Sequence, residues 1–175
     1  MDLGYRSVTM ETVAEAAGVT KASVYYHYKD KASLFVAAVR YVLDNARRAT
    51  EGMLASDAPL RRRLHDIARI VLALPHSFTS FDAMMHEAAT DLSALQIAQI
   101  RTEERTISEV VEQALFDAAR RKEIRADEPL FVAHAFLALL RIGQARDADG
   151  NLLFPDTDKT ADLLIRFLWH GVGVD

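Results

Sequence analysis

The side chains best placed to do chemistry gather in one short stretch. Thr20, Lys21 and Ser23 crowd the first turn of what reads as a short helix, and Tyr25, Tyr26, His27 and Tyr28 follow at once. Donors at a helix start suit an anion, because the free backbone N–H groups and the positive end of the helix dipole already lie there. Lys21 and Lys31 each follow a cap, where a cation opposes the dipole by about 0.3 kcal/mol or a little more, and a phosphate nearby reverses that sign. The tyrosines and His27 add hydroxyl and imidazole donors to aromatic mass, a mixture suited to gripping a backbone while anchoring to a core. On spacing alone, a DNA-facing turn and a solvated helix start fit this cluster equally well.

Other constellations fall short of a chemistry. His86-Glu87-Ala88-Ala89-Thr90 misses a helical zinc-protease signature by one residue, since Thr90 stands where the second histidine ligand belongs. His65, His76, His134 and His170 are scattered without ligand spacing, so no metal site is read. The absence of cysteine excludes a disulfide framework, a cysteine-ligated zinc and a thiol nucleophile. No Gly-rich phosphate loop and no Gly-x-Ser-x-Gly elbow occurs. No cofactor is implied, and the chain reads as a non-enzyme. The enzyme alternative is an all-helical catalyst using His86 or His134 as a base.

The elements that must position these residues are all helical. A chain of 175 residues, half of them hydrophobic, can hide roughly 70% of its unfolded surface. Four prolines and seven glycines leave long uninterrupted stretches, and no segment alternates apolar and polar residues long enough to be a strand. Thr9 opens a first short helix that Gly18 ends, with Ala14, Ala16 and Ala17 small enough to admit a close neighbour. Thr20 caps the second. The apolar stripe of Leu34, Phe35, Ala38, Val39, Val42, Leu43 and Ala46 predicts a long helix from Lys31 to about Leu54.

Pro59 marks the start of a helix running to about Ala73, Pro75 breaks the chain, and Phe78 to Ala89 reads as a short helix. Residues 92–121 suit one long helix or two abutting ones, ending in Arg120-Arg121-Lys122. Asp127-Glu128-Pro129 opens a helix that is apolar nearly all round to Gly143, and the last helix spans about Thr157 to His170. Between them, Arg146 to Asp156 holds Asp149-Gly150-Asn151 turn chemistry and is expected to be a mobile surface loop.

Charge divides along the chain. Residues 1–48 carry a net of +2 although the whole chain sums to −4, which suggests two jobs in one chain. The expected division is a helix-turn-helix unit with the start of a connecting helix over 1–48, and a larger helical body over 49–175. The longest nearly unbroken apolar run, Leu130 to Leu140, is about half the roughly 20 residues of a bilayer span, so no membrane role is read. Met1-Asp2-Leu3-Gly4 lacks the basic start and apolar stretch of a secretory signal, and a cytoplasmic protein is expected.

The run Ala16-Ala-Gly-Val-Thr-Lys-Ala-Ser-Val-Tyr-Tyr-His-Tyr-Lys-Asp-Lys-Ala-Ser-Leu-Phe35 closely resembles the DNA-binding signature of the tetracycline-repressor (TetR) family of bacterial transcriptional regulators. The resemblance implies a homodimer whose recognition helices read a palindromic operator in double-stranded DNA, a helical body holding an inducer cavity, and a dimer interface built from the last two helices. It places Lys21, Ala22 and Ser23 near base edges, and Thr20, Tyr25, Tyr26, His27 and Lys31 against phosphates. Val24 and Tyr28 match packing positions. Val8 stands where the family commonly has a phosphate-contacting threonine, leaving Thr9 as the cap and a further DNA-side residue. Family members usually carry a full helix before the Gly-Tyr found here as Gly4-Tyr5, so most of the first helix is expected to be missing from the DNA-binding unit.

For the inducer, Phe78, Phe81, Met84, Met85 and His86, with Phe116, His134 and Leu137, offer the apolar and aromatic walls that small-molecule pockets favour, and the expected effector is apolar or aromatic. For the dimer interface the expected residues are Leu130, Phe136, Leu140, Leu164, Phe167, Leu168 and Trp169. The function expected is a ligand-responsive repressor. The alternative binding reading is a helical small-molecule-binding protein without operator recognition.

Overall fold

A computed structural model of the chain describes residues 4–74, 78–125 and 128–172. After a 3-10 turn over Tyr5–Ser7 come α1 (Met10–Ala16), α2 (Lys21–His27), α3 (Lys31–Leu54), α4 (Leu60–Ala73), α5 (Phe78–Ala88), α6 (Ala94–Arg120), α7 (Pro129–Gly143) and α8 (Thr157–Val172). The fold is all-α. An isolated β-bridge joins Arg146 and Leu152. Pro75, His76 and Asp127 lie outside the described residues.

The helices start and stop where side chains satisfy orphan backbone groups. The Thr9 hydroxyl oxygen accepts from the Thr12 amide at 3.1 Å while the Thr12 hydroxyl oxygen accepts from the Thr9 amide, closing a capping box on α1. Asp30 accepts from the Ser33 amide at 2.7 Å and from the Ser33 hydroxyl at 2.6 Å, opening α3; the hydroxyl bond, with the amide bond second, holds the Asp30 carboxyl below its ordinary range. Ser93 and Gln96 form the reciprocal pair that starts α6. The apolar spacing over 92–121 is therefore one helix, and it ends where Lys122 takes a positive φ of 60°.

The chain forms two compact units: Met1–Asn45 with Thr79–Glu104, and Ala46–Phe78 with Arg105–Asp175. This grouping differs from a cut at residue 48, because α5 and the start of α6 fold with the N-terminal helices. In the first unit Met10, Ala14 and Val24 form one buried cluster, with Tyr28 and Leu34 packed against it. Ala14 alone of the three small residues is buried there; Ala16 and Ala17 are exposed. A second cluster joins Tyr5, Val36, Val39, Ala88, Leu92 and Ile100.

The second unit has a single larger core, drawn mainly from Leu60, Leu64 and Ile67 of α4, Val111 and Leu115 of α6, Phe136 and Leu140 of α7, and Leu164 and Leu168 of α8. Its α7–α8 connection is more ordered than a mobile loop. Leu153 donates its amide to the Ala145 carbonyl, Asp147 donates its amide to the Asn151 carbonyl, and the Asp147 carboxylate accepts from the Asn151 amide at 2.8 Å. That last bond is the main cause holding the Asp147 carboxyl below its ordinary range. Gly150, at φ +83°, makes the tight turn of this hairpin.

Candidate nucleic-acid interface

Two seven-residue helices, α1 and α2, pack through Ala14 and Val24, and the turn between them passes through Gly18 at φ +66°. A left-handed turn residue here favours glycine, since a Cβ would be strained by the conformation itself. Thr20 caps α2 by accepting from the Ser23 amide at 3.1 Å, and the two hydroxyl oxygens lie 2.9 Å apart. Val24 turns inward at 6% exposure while Tyr26 stands 86% exposed. Thr9, Thr20, Lys21, Ala22, Ser23, Tyr25, Tyr26 and His27 are all exposed, and Lys31 is partly so. The structure thus brings eight of these nine onto the α1–α2 pair and its caps, with Lys31 at the first turn of α3. Val24 and Tyr28 pack, as their types suggest.

Two cations of this surface already have partners. Lys21 forms an ion pair with Glu11 and lies 5.7 Å from the Tyr25 ring centroid. The hydrogen bond from Lys21 holds the Glu11 carboxyl below its ordinary range, and the same bond holds the Lys21 ammonium above its own. Lys31 stands 4.3 Å from the Tyr5 ring centroid and donates to the Arg6 carbonyl at 3.3 Å. Glu11 therefore competes with any phosphate for Lys21. Glu11→Gln should tighten binding of random duplex DNA about twofold to fivefold at low salt, measured by fluorescence anisotropy, because a solvent-exposed pair is weak and one negative charge leaves the α1–α2 surface.

The expected inducer residues are divided between the two units. Phe81, Met84 and Met85 pack, half-buried, on the second cluster of the first unit. His86 is exposed. Phe116, His134 and Leu137 belong to the second unit, where His134 is exposed with Nε2 3.3 Å from Glu112 and Leu137 packs on the core. The side chain of Phe78 lies outside the described residues. A cavity of about 640 Å³ in the second unit is instead walled by charged side chains of α3, α4, α6 and the residue after it, among them Arg47, Arg63, Asp117 and Arg121. Arg63 is buried and donates to the Leu54 carbonyl at 2.5 Å. Composition gave no sign of it, because a three-arginine run at a helix start reads as surface.

The expected dimer residues divide sharply. Phe136 and Leu140 lie wholly in the core of their own unit, and Leu164 and Leu168 are buried in the same core, Leu164 with an edge on the outward groove. Trp169 is half-buried, and Leu130 and Phe167 are exposed. The outward apolar surface of α7 and α8 is a groove of about 510 Å³ lined by Leu139, Ile142, Phe154, Leu163, Phe167 and neighbours, of which Phe167 and Leu164 were among the expected interface residues and Leu139, Ile142, Phe154 and Leu163 were not. Among the described residues no group of histidines and carboxylates could hold a metal ion, and no helix is long and apolar enough to cross a membrane.

A capped helix pair joined by a left-handed glycine, with a polar outer face and a helical body following in the chain, defines a helix-turn-helix unit. Residues 2–38 match the model for bacterial regulatory proteins of the tetR family. The chain is 23% identical over 173 residues to the HTH-type transcriptional activator FasR of Mycolicibacterium smegmatis, covering 98% of this chain and 77% of that protein. Its fold is similar to that of a TetR-family transcriptional regulator from Mesorhizobium loti, with a TM-score of 0.78, 21% identity, and coverage of 98% and 90%. A second similar structure is AibR in complex with isovaleryl coenzyme A and operator DNA, with a TM-score of 0.65, 24% identity, and coverage of 95% and 89%.

Proposed function

We propose that this protein is a transcriptional regulator of the TetR family, acting as a cytoplasmic homodimer that binds a palindromic operator through α2 and represses until a small molecule releases it. The observation that carries the reading is the exposed, capped α2 with Thr20, Lys21 and Ser23 on its first turn and Tyr25, Tyr26 and His27 beyond. Lys21, Ala22 and Ser23 face base edges, whereas Thr9, Thr20, Tyr25, Tyr26, His27 and Lys31 meet the phosphate backbone. Half-sites one helical turn apart ask for recognition helices about 34 Å apart in the dimer. The α3 helix supplies residues to both compact units, so an effector that tilts it changes this separation and weakens DNA binding. The polar cavity of the second unit favours an effector bearing an ionisable group over a purely apolar one.

The test is an unbiased selection of duplex oligonucleotides with the full chain at low salt. A palindromic consensus is expected, and recovery of no preferred sequence sinks the reading. Lys31→Ala should weaken all duplexes alike and make the fall of log affinity with log salt shallower by about one for every phosphate that the lysine neutralises. Ser23→Ala should instead blur discrimination at one base position in each half-site. The M. smegmatis relative is an activator, which favours a second reading in which bound protein raises transcription. A reporter carrying the selected operator separates the two by the sign of the response.

A further inference from the structure

The short N-terminal turn before α1 is held by side chains more than eighty residues away. The Tyr5 hydroxyl donates to Asp91 Oδ2 at 3.0 Å, and the Arg6 amide donates to Glu87 Oε2 at 3.1 Å. Tyr5 is buried, its ring edge-on to Phe35 with centroids 4.9 Å apart. Gly4 leaves room for the Glu87 carboxylate, since a Cβ there would stand 2.7 Å from Oε2 and 2.9 Å from Oε1. Lys31 meets the same turn, its ammonium over the Tyr5 ring and bonded to the Arg6 carbonyl. All of these residues belong to the first compact unit.

Two acceptors and one ammonium thus meet through the same ring and the same residue, Arg6, whose amide serves Glu87 and whose carbonyl serves Lys31. We infer that Asp91 and Glu87 are positioning residues for DNA binding, fixing the Tyr5–Arg6 turn so that Lys31 presents its ammonium in a set place at the start of α3. The inference rests on the reading of Lys31 as a phosphate contact. Lys31 has a long, flexible stem, and an unheld ammonium must surrender its freedom on binding; a held one has already done so. The ring face supplies the hold by attraction to the cation, and the Arg6 carbonyl supplies the direction. Asp91 and Glu87 touch no DNA themselves in this arrangement. Burial first, and the bond to Asp91 second, push the Tyr5 phenol up to about 12, consistent with a ring locked in place.

The experiment is a double-mutant cycle on random duplex DNA at low salt, using the full chain and variants Asp91→Asn, Tyr5→Phe and Lys31→Met. Tyr5→Phe removes the same hydrogen bond from its other end and keeps the ring, so it carries the test should Asp91→Asn fold poorly. Each of Asp91→Asn and Tyr5→Phe is expected to weaken binding about threefold to tenfold alone, the size of one exposed cation–π contact or a little more, and to have no effect once Lys31 is methionine. Gly4→Ala, which drives the Glu87 carboxylate off the Arg6 amide, should reproduce the loss. A spectrophotometric titration should show one tyrosine of the wild type ionising late, and that tyrosine shifting down in Asp91→Asn. Losses that add fully to that of Lys31→Met would overturn the positioning role while leaving DNA binding intact. Failure of the wild type to bind any duplex would instead overturn the DNA reading and, with it, this one.

Discussion

Replacing Phe167 with aspartate is expected to convert the proposed homodimer to a monomer and to weaken its binding to the selected operator by about 100-fold or more. Phe167 is 74% exposed on α8, beside Leu163 and across the groove from Ile142 of α7, so the substitution disturbs little inside its own unit. In a two-fold interface it counts twice. Each copy loses the burial of one aromatic side chain, about 1.5–3 kcal/mol, and places a carboxylate where it has no partner. Operator binding falls because a dimer presents its second recognition helix at an effective concentration near millimolar, an advantage of about 10²–10⁴ that separate monomers lack. Sedimentation velocity reads the mass, and anisotropy on the selected operator reads the affinity. A variant that stays dimeric would place the interface elsewhere.

The parts of the fold that could be read from the sequence were those governed by neighbours in the chain. Thr9, Thr20 and Asp30 cap helices within three residues, and Gly18 turns between two of them, so the boundaries of α1, α2 and α3 follow from local chemistry. The exposed face of α2 was legible for the same reason: a seven-residue helix with one inward valine leaves its other residues outside. Ala16 and Ala17 were misread because small size permits close packing but does not direct it.

What escaped the sequence depends on partners far along the chain. Asp91 and Glu87 carry no local signature, and their roles appear only when the Tyr5–Arg6 turn lies beside them. Arg63 was hidden in a basic run whose other members are exposed. Four of the expected interface residues, Phe136, Leu140, Leu164 and Leu168, are buried in their own unit, and their placement escaped for a further reason. On α7 the apolar residues cover the whole circumference, so periodicity cannot tell the stripe of Val132, Phe136 and Leu140, which enters the core, from the outward Phe131 and Ile142. The same ambiguity holds at α5, where Phe81, Met84 and Met85 pack on the core of their own unit.

The same division sets the second large effect. Phe136 is fully buried at the middle of α7, in the cluster that holds Leu64, Leu115 and Leu164. Phe136→Ala should therefore cost about 3–5 kcal/mol, combining lost transfer free energy with a cavity the helices close only in part. For a chain of 175 residues that corresponds to a melting temperature lower by about 6–20 °C. Phe131→Ala, on the same helix at 73% exposure, should change intrinsic stability by less than about 0.5 kcal/mol. Calorimetry at one fixed protein concentration makes the comparison, because dimerisation itself raises the apparent stability. The two phenylalanines Phe136 and Phe167 then separate cleanly. Loss of the first should lower the melting temperature while the protein still sediments as a dimer below it, and loss of the second should leave a folded monomer whose melting no longer depends on concentration. Wild-type melting in Phe136→Ala would mean that α7 turns a different stripe toward the core, and would return Phe136 to the surface where its apolar neighbours first suggested it.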